Sequence, residues 1–190
     1  SVHTFDISGT VSTFATPGTR ADRATNPETL QGAKYIRLQN GTFNVTADAN
    51  GNFTIPGVNT AQSVTLTYDS PYAHVTDSGG ATYSFAATLN PGSGNLITLN
   101  PSSIDSITSQ ANILQAVAAE RDYVRRINPS DATADALFNG IANIASSCNA
   151  YYDGNINFYA QSTTCANTAF STVIAHEEGG GIDLKDAHGC

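Results

Sequence analysis

Thr42-Phe-Asn-Val-Thr-Ala-Asp-Ala-Asn-Gly-Asn-Phe-Thr-Ile-Pro56 alternates apolar and polar residues on either side of a turn. Phe43, Val45 and Ala47 lie on one arm and Phe53 and Ile55 on the other. Each arm therefore presents a single apolar face at the two-residue period of a strand. Asp48-Ala-Asn-Gly51 joins the arms, and Asn50 and Gly51 tolerate the positive φ that a tight hairpin demands. Working outward, the same alternation recurs at residues 4–14, 33–39, 63–68, 82–89 and 96–99, with turn residues between and no helical period. About six or seven short strands at this spacing predict an all-β sandwich over residues 1–100.

The 190 residues are 40% hydrophobic and only 13% charged, enough apolar surface for a buried core and too little charge for a chain kept open by self-repulsion. Sixteen acidic against eight basic residues give a net charge of −8, and only Arg125 and Arg126 adjoin. No phosphate-binding face can be assembled, so nucleic acid is excluded as a partner. The longest apolar runs, such as residues 173–175, fall far short of the roughly 20 residues that cross a bilayer, so no transmembrane segment is expected. Lysine occurs only at Lys34 and Lys185, while Thr, Ser, Asn, Ala and Gly fill the surface. That composition points to a secreted or cell-surface protein, with Ser1 as a mature end left by leader removal. Of three cysteines, Cys148 and Cys165 are close enough to bridge within one small unit, which stabilises by about 3 kcal/mol in an oxidising compartment. Cys190 is the odd thiol.

Ile7-Ser-Gly-Thr-Val11, Gly32-Ala-Lys-Tyr-Ile-Arg-Leu38 and Thr46-Ala-Asp-Ala-Asn-Gly-Asn-Phe-Thr-Ile55 together resemble the carboxypeptidase regulatory-like sandwich. The resemblance implies a transthyretin- or immunoglobulin-like architecture and no particular activity. Asn40-Gly-Thr, Asn44-Val-Thr and Asn52-Phe-Thr match the glycosylation acceptor pattern, which makes Asn40, Asn44 and Asn52 candidate glycan sites.

Residues 101–109 lack periodicity and are expected to form a linker to a second, α+β unit over residues 110–190. There, Ile113, Val117, Val124 and Ile127 line one face of a predicted amphipathic helix, capped by Thr108 or Ser109 and stopped by Asn128-Pro129. Glu120, Arg121 and Asp122 read as its solvated charges. A short helix is expected at 132–138, an extended run at 141–146, and a hairpin turning at Asp153-Gly154. Tyr151, Tyr152, Phe158 and Tyr159 on its arms read as packing pairs, with a substrate-binding aromatic strip as the sharper reading. A second helix follows.

Cys148-Asn-Ala-Tyr-Tyr-Asp-Gly leads to Ser171-Thr-Val-Ile-Ala-His-Glu-Glu-Gly-Gly180, and this pairing resembles the gluzincin metallopeptidases of thermolysin and fungalysin type. The resemblance implies an edge strand followed by a zinc-binding His-Glu-x-x-His helix, with His176 as a ligand and Glu177 as the general base. Position 180 is glycine where the second histidine belongs, and Gly179, Gly180 and Gly181 each disfavour helix by roughly 1 kcal/mol, so the helix is expected to end there. A rearranged zinc site would recruit His188, with Asp183, Asp186 or Cys190 as further donors. The expectation is a secreted, protease-derived protein with an incomplete zinc site, a non-catalytic subunit of a filament-like extracellular assembly. The alternative is a fragment or variant of a zinc metalloendopeptidase. Other copies of the chain are the expected partners, through strand addition by residues 2–14.

Overall fold

A computed structural model describes residues 1–18 and 23–187, with side chains as far as Ile182. The elements run β1 (Phe5–Ala15), β2 (Thr29–Gly32), β3 (Arg37–Gln39), β4 (Asn44–Thr46), β5 (Asn52–Val58), β6 (Gln62–Leu66), β7 (Ala73–Asp77), β8 (Phe85–Leu89) and β9 (Gly92–Leu99). Then come α1 (Asp105–Ile127), β10 (Phe138–Ile144), β11 (Ala150–Tyr152), β12 (Ile156–Tyr159) and α2 (Ser171–Ala187). Among the described residues the fold is mainly β, distributed over several small sheets, with two α-helices. Among the described residues, no helix is long and apolar enough to cross a membrane.

β1 organises the first sheet. β5 pairs antiparallel with its first half and β2 with its last four residues, while β9 runs parallel to it. Because β9 shares residues of β1 with both of the others, β5 and β2 lie along one edge and β9 along the opposite one. The segment expected to add a strand to a neighbouring copy thus has both edges occupied at home, and its Ile7 is fully buried. Strand addition by this segment would require it to leave those pairings.

The alternation read at residues 42–56 holds, but the pairing does not. Ala47, Phe53 and Ile55 are buried and Asn44, Thr46, Asn52 and Thr54 exposed. The turn also forms, with Asp48 Oδ1 accepting from the backbone of Asn50 and Asn52 and Gly51 at φ 80°. Its arms diverge, however. β4 pairs with β3 and β5 with β1, so the turn links two sheets instead of closing a hairpin. Tertiary pairing has overridden the local signal.

The boundary at 101–109 also gives way. β7, from the first half of the chain, pairs parallel with β10, and the sheet continues through β12 to β11. One hydrophobic core runs from Ile7 to Ile182. α1 starts at Asp105, earlier than the periodicity indicated, with Ile104 as its N-cap, and it ends at Asn128 as expected. From Thr108 to Gln115 it is buried all round, polar residues included: Thr108, Ser109, Gln110, Asn112 and Gln115 each lie within 7% exposure. Such groups are tolerated only when hydrogen-bonded. Gln115 accepts from Lys34 N and donates to Gly32 O, while Asn112 accepts from Thr16 N and donates to Ala169 O. Gln110 accepts from Tyr83 N, and Ser109 donates to Asn143 Oδ1. α1 is a spine that stitches loops from both halves of the chain. At its other end Ile127, expected to be buried, is 68% exposed. The helix expected at 132–138 shrinks to a 3-10 turn at Thr133–Asp135, with Phe138 opening β10.

Candidate functional site

β11 and β12 form the predicted hairpin about Asp153-Gly154, with Ala150, Tyr151 and Tyr152 opposite Phe158, Asn157 and Ile156. The aromatic residues mostly pack. Phe158 is fully buried, Tyr152 lies against the core, and Tyr151 meets Tyr159 edge-on at 6.0 Å between centroids. Among the described residues, β11 is the outermost strand of its sheet and has one unpaired edge.

α2 packs beside this hairpin and does not stop at the glycines. It runs from Ser171 to Ala187 because packing outweighs the propensity of three residues. A Cβ at Gly181 would stand 2.7 Å from a Phe138 ring carbon and 2.9 Å from one of Tyr152. Glycine there admits both rings against the helix, and that close approach is what the sequence pattern concealed.

Between α2 and the start of β11 lies an open cavity of about 630 Å³. Asn149 and Ala150 line one wall, Cys148 and Cys165 its rim, and Val173, His176 and Glu177 the helix side. Cys148 and Cys165 are bridged, with their Cα atoms 5.3 Å apart. The structure therefore brings together His176, Glu177, Cys148 and Cys165, as the sequence grouped them. His188 and Cys190 lie outside the described residues, as do the side chains of Asp183 and Asp186.

The described donors do not by themselves assemble a zinc site. His176 is exposed on the cavity wall, and one turn further along Gly180 offers no ligand and has nothing within 4 Å of where a Cβ would stand. Among the described residues, no three His, Cys, Asp or Glu side chains converge closely enough to hold a metal ion.

Two acids escaped the sequence reading. Glu178 is fully buried and lies beside Glu120 of α1. Burial pushes the Glu120 carboxyl above the ordinary range, against the lowering effect of the neighbouring Glu178. Arg121 does not neutralise it. Its guanidinium turns to Asp135 and Asp122 and lies 4.7 Å from the Tyr72 ring centre. Asp135, held chiefly by Arg125, is drawn down to about 2. Glu120 reads as a solvated charge because only the fold places α2 over it.

The candidate glycan sites differ in freedom. Asn40 Nδ2 donates to Gln62 Oε1 and Ser63 O, and its Oδ1 accepts from the backbone of Thr42 and Phe43. Asn44 is exposed on β4, and exposed Asn52 accepts from Thr10 Oγ1. Compared with protein-family models and with curated proteins, the chain matches none.

Proposed function

We propose that this chain is a metallopeptidase-like module that holds extended polypeptide in the cavity between β11 and α2 without cleaving it, as a non-catalytic subunit of an extracellular assembly. The observation that carries the reading is a cavity flanked by an unpaired strand edge, whose wall keeps His176 and Glu177 while position 180 offers only glycine. A strand edge supplies backbone donors and acceptors to any extended chain, and the apolar side chains of Ala150, Phe170 and Val173 supply surface for its residues. A second reading, a fragment or variant of a zinc endopeptidase, is favoured by one fact: the general-base position Glu177 is retained beside His176. The bridged Cys148–Cys165 pair fits an oxidising, extracellular setting.

Unfolded casein tests this. The expected result is casein binding with no chelator-sensitive cleavage when zinc is added, and at least a ~10-fold loss of affinity in Ala166→Phe, which fills the cavity from an exposed position. Chelator-sensitive cleavage that disappears in Glu177→Gln would establish the peptidase reading instead. Gly180→His alone is expected to confer no activity.

A further inference from the structure

The disulfide at the rim of the cavity holds more than its own loop. Residues 145–149, which lead into β11, are exposed, as are residues 161–164 across from them. Between these two segments run the Cys148–Cys165 bond and a 3.9 Å contact from Cys148 Sγ to Thr164 Oγ1. At their base the two segments are tied by Ala160 N donating to Ile144 O, and beyond it the hydrogen bonds are local: Ser146 N donates to Ile144 O, Ser162 N to Cys165 O, and Cys165 N to Ser162 Oγ. β11 itself is three residues long and pairs on one edge. Cys148 sits at φ 65°, in the left-handed region that a residue with a Cβ adopts at a cost. Cys148 is exposed and Cys165 half-buried, so a reductant reaches the bond from solvent.

We propose that this disulfide is a redox latch on the cavity: reduction frees residues 145–150 and opens the β11 wall, and oxidation closes it. The proposal rests on the cavity being the binding site. The co-reactant is a dithiol. One of its thiolates attacks a cysteine sulfur, the sulfur–sulfur bond breaks, and the other cysteine leaves as a thiolate that takes up a proton. The second thiol of the dithiol resolves the mixed disulfide. Two electrons and two protons pass to the protein, which gains two free thiols, and the dithiol leaves as its own disulfide. The rest of the sheet persists, because β12, β10 and β7 continue it without β11, and the opening gives up only the packing of Ala150 and Tyr152 against the core.

The test uses the full chain carrying Cys190→Ser, which removes the third thiol, before and after dithiothreitol. Mass spectrometry after alkylation counts the thiols, and amide hydrogen exchange reads the wall. Expected are two thiols, exchange at least ~10-fold faster at residues 150–152, unchanged protection in β1 and the buried half of α1, and full recovery on reoxidation. Casein affinity is expected to fall at least ~10-fold on reduction, and to be equally low in a Cys148→Ser, Cys165→Ser variant. Identical exchange at residues 150–152 in both states overturns the latch, as does a bond that yields only when α1 also exchanges. If β11 opens on reduction but the oxidised protein never binds casein, the latch stands and the cavity reading fails. If casein binds equally in both states and β11 stays closed, the latch fails and the cavity reading stands.

Discussion

The two helices hold the fold by opposite means. α1 buries a row of polar side chains, each bonded to the backbone or a side chain of a different loop, whereas α2 carries glycine at Gly181, where two aromatic rings approach its axis. In α1 the sequence spends side chains on contacts, and in α2 it removes them. The difference teaches that burial of a helix can rest on hydrogen bonds that are directional or on shape alone, and the two respond differently to substitution.

The largest expected effect lies in α1. Asn112→Ala leaves Thr16 N and Ala169 O without their partner in a dry interior, a loss of about 3 kcal/mol. Chemical denaturation should show the midpoint falling with the slope unchanged. A loss below about 0.5 kcal/mol would mean that water replaces the side chain and that α1 is no stitching spine.

A middle-sized effect lies where the helices meet. Glu120, half-buried, lies beside the buried Glu178, and burial favours the neutral form of the Glu120 carboxyl. A carboxyl raised in the folded state contributes stability that is whole below the unfolded value of about 4.3 and is lost as pH climbs through the folded value. Glu178→Gln removes one ionisable partner while keeping the volume. Its melting temperature should exceed the parent's at neutral pH, by roughly 2–4 °C for each kcal/mol relieved, and the gap should close near pH 4. An equal gap at both pH values would show that the pair does not titrate with folding.

Much of the local structure was legible in the sequence. Alternation at Phe43 to Ile55 marked the buried face correctly, and Asp153-Gly154 marked the hairpin turn. The grouping of Cys148, Cys165, His176 and Glu177 around one cavity followed from their neighbourhood in the chain. What stayed hidden was non-local. β7 is closed by a turn at Asp77-Ser-Gly-Gly but holds its place by parallel pairing with β10, some 65 residues on. That one pairing merges what the composition divides at 101–109. The roles of Gln110, Asn112 and Gln115 were not read because their partners, Thr16, Gly32, Tyr83 and Ala169, are scattered through the chain. Glu178 was read as part of a zinc-helix pattern, yet it points to Glu120 instead.

The smallest effect separates two neighbouring glycines of α2. If α2 persists because of shape and not propensity, its glycines should divide by what surrounds them. Gly180 is exposed, with open space where a Cβ would go, so alanine there gains helix propensity and meets no obstacle. Gly180→Ala should stabilise by about 0.5–1 kcal/mol, a rise in melting temperature of roughly 2–4 °C. At Gly181 the same substitution gains the same propensity but forces a methyl within 2.7 Å of the Phe138 ring. Overpacking of that kind costs about 1–3 kcal/mol, so Gly181→Ala should be neutral or destabilising. The comparison sharpens when Phe138→Leu is added, since a smaller side chain relieves the clash and Gly181→Ala should then cost less than in the parent. Non-additivity of that sign locates the constraint in the ring contact. If instead both alanine variants stabilise equally, α2 lies further from β10 than described and the opposition between the two helices disappears.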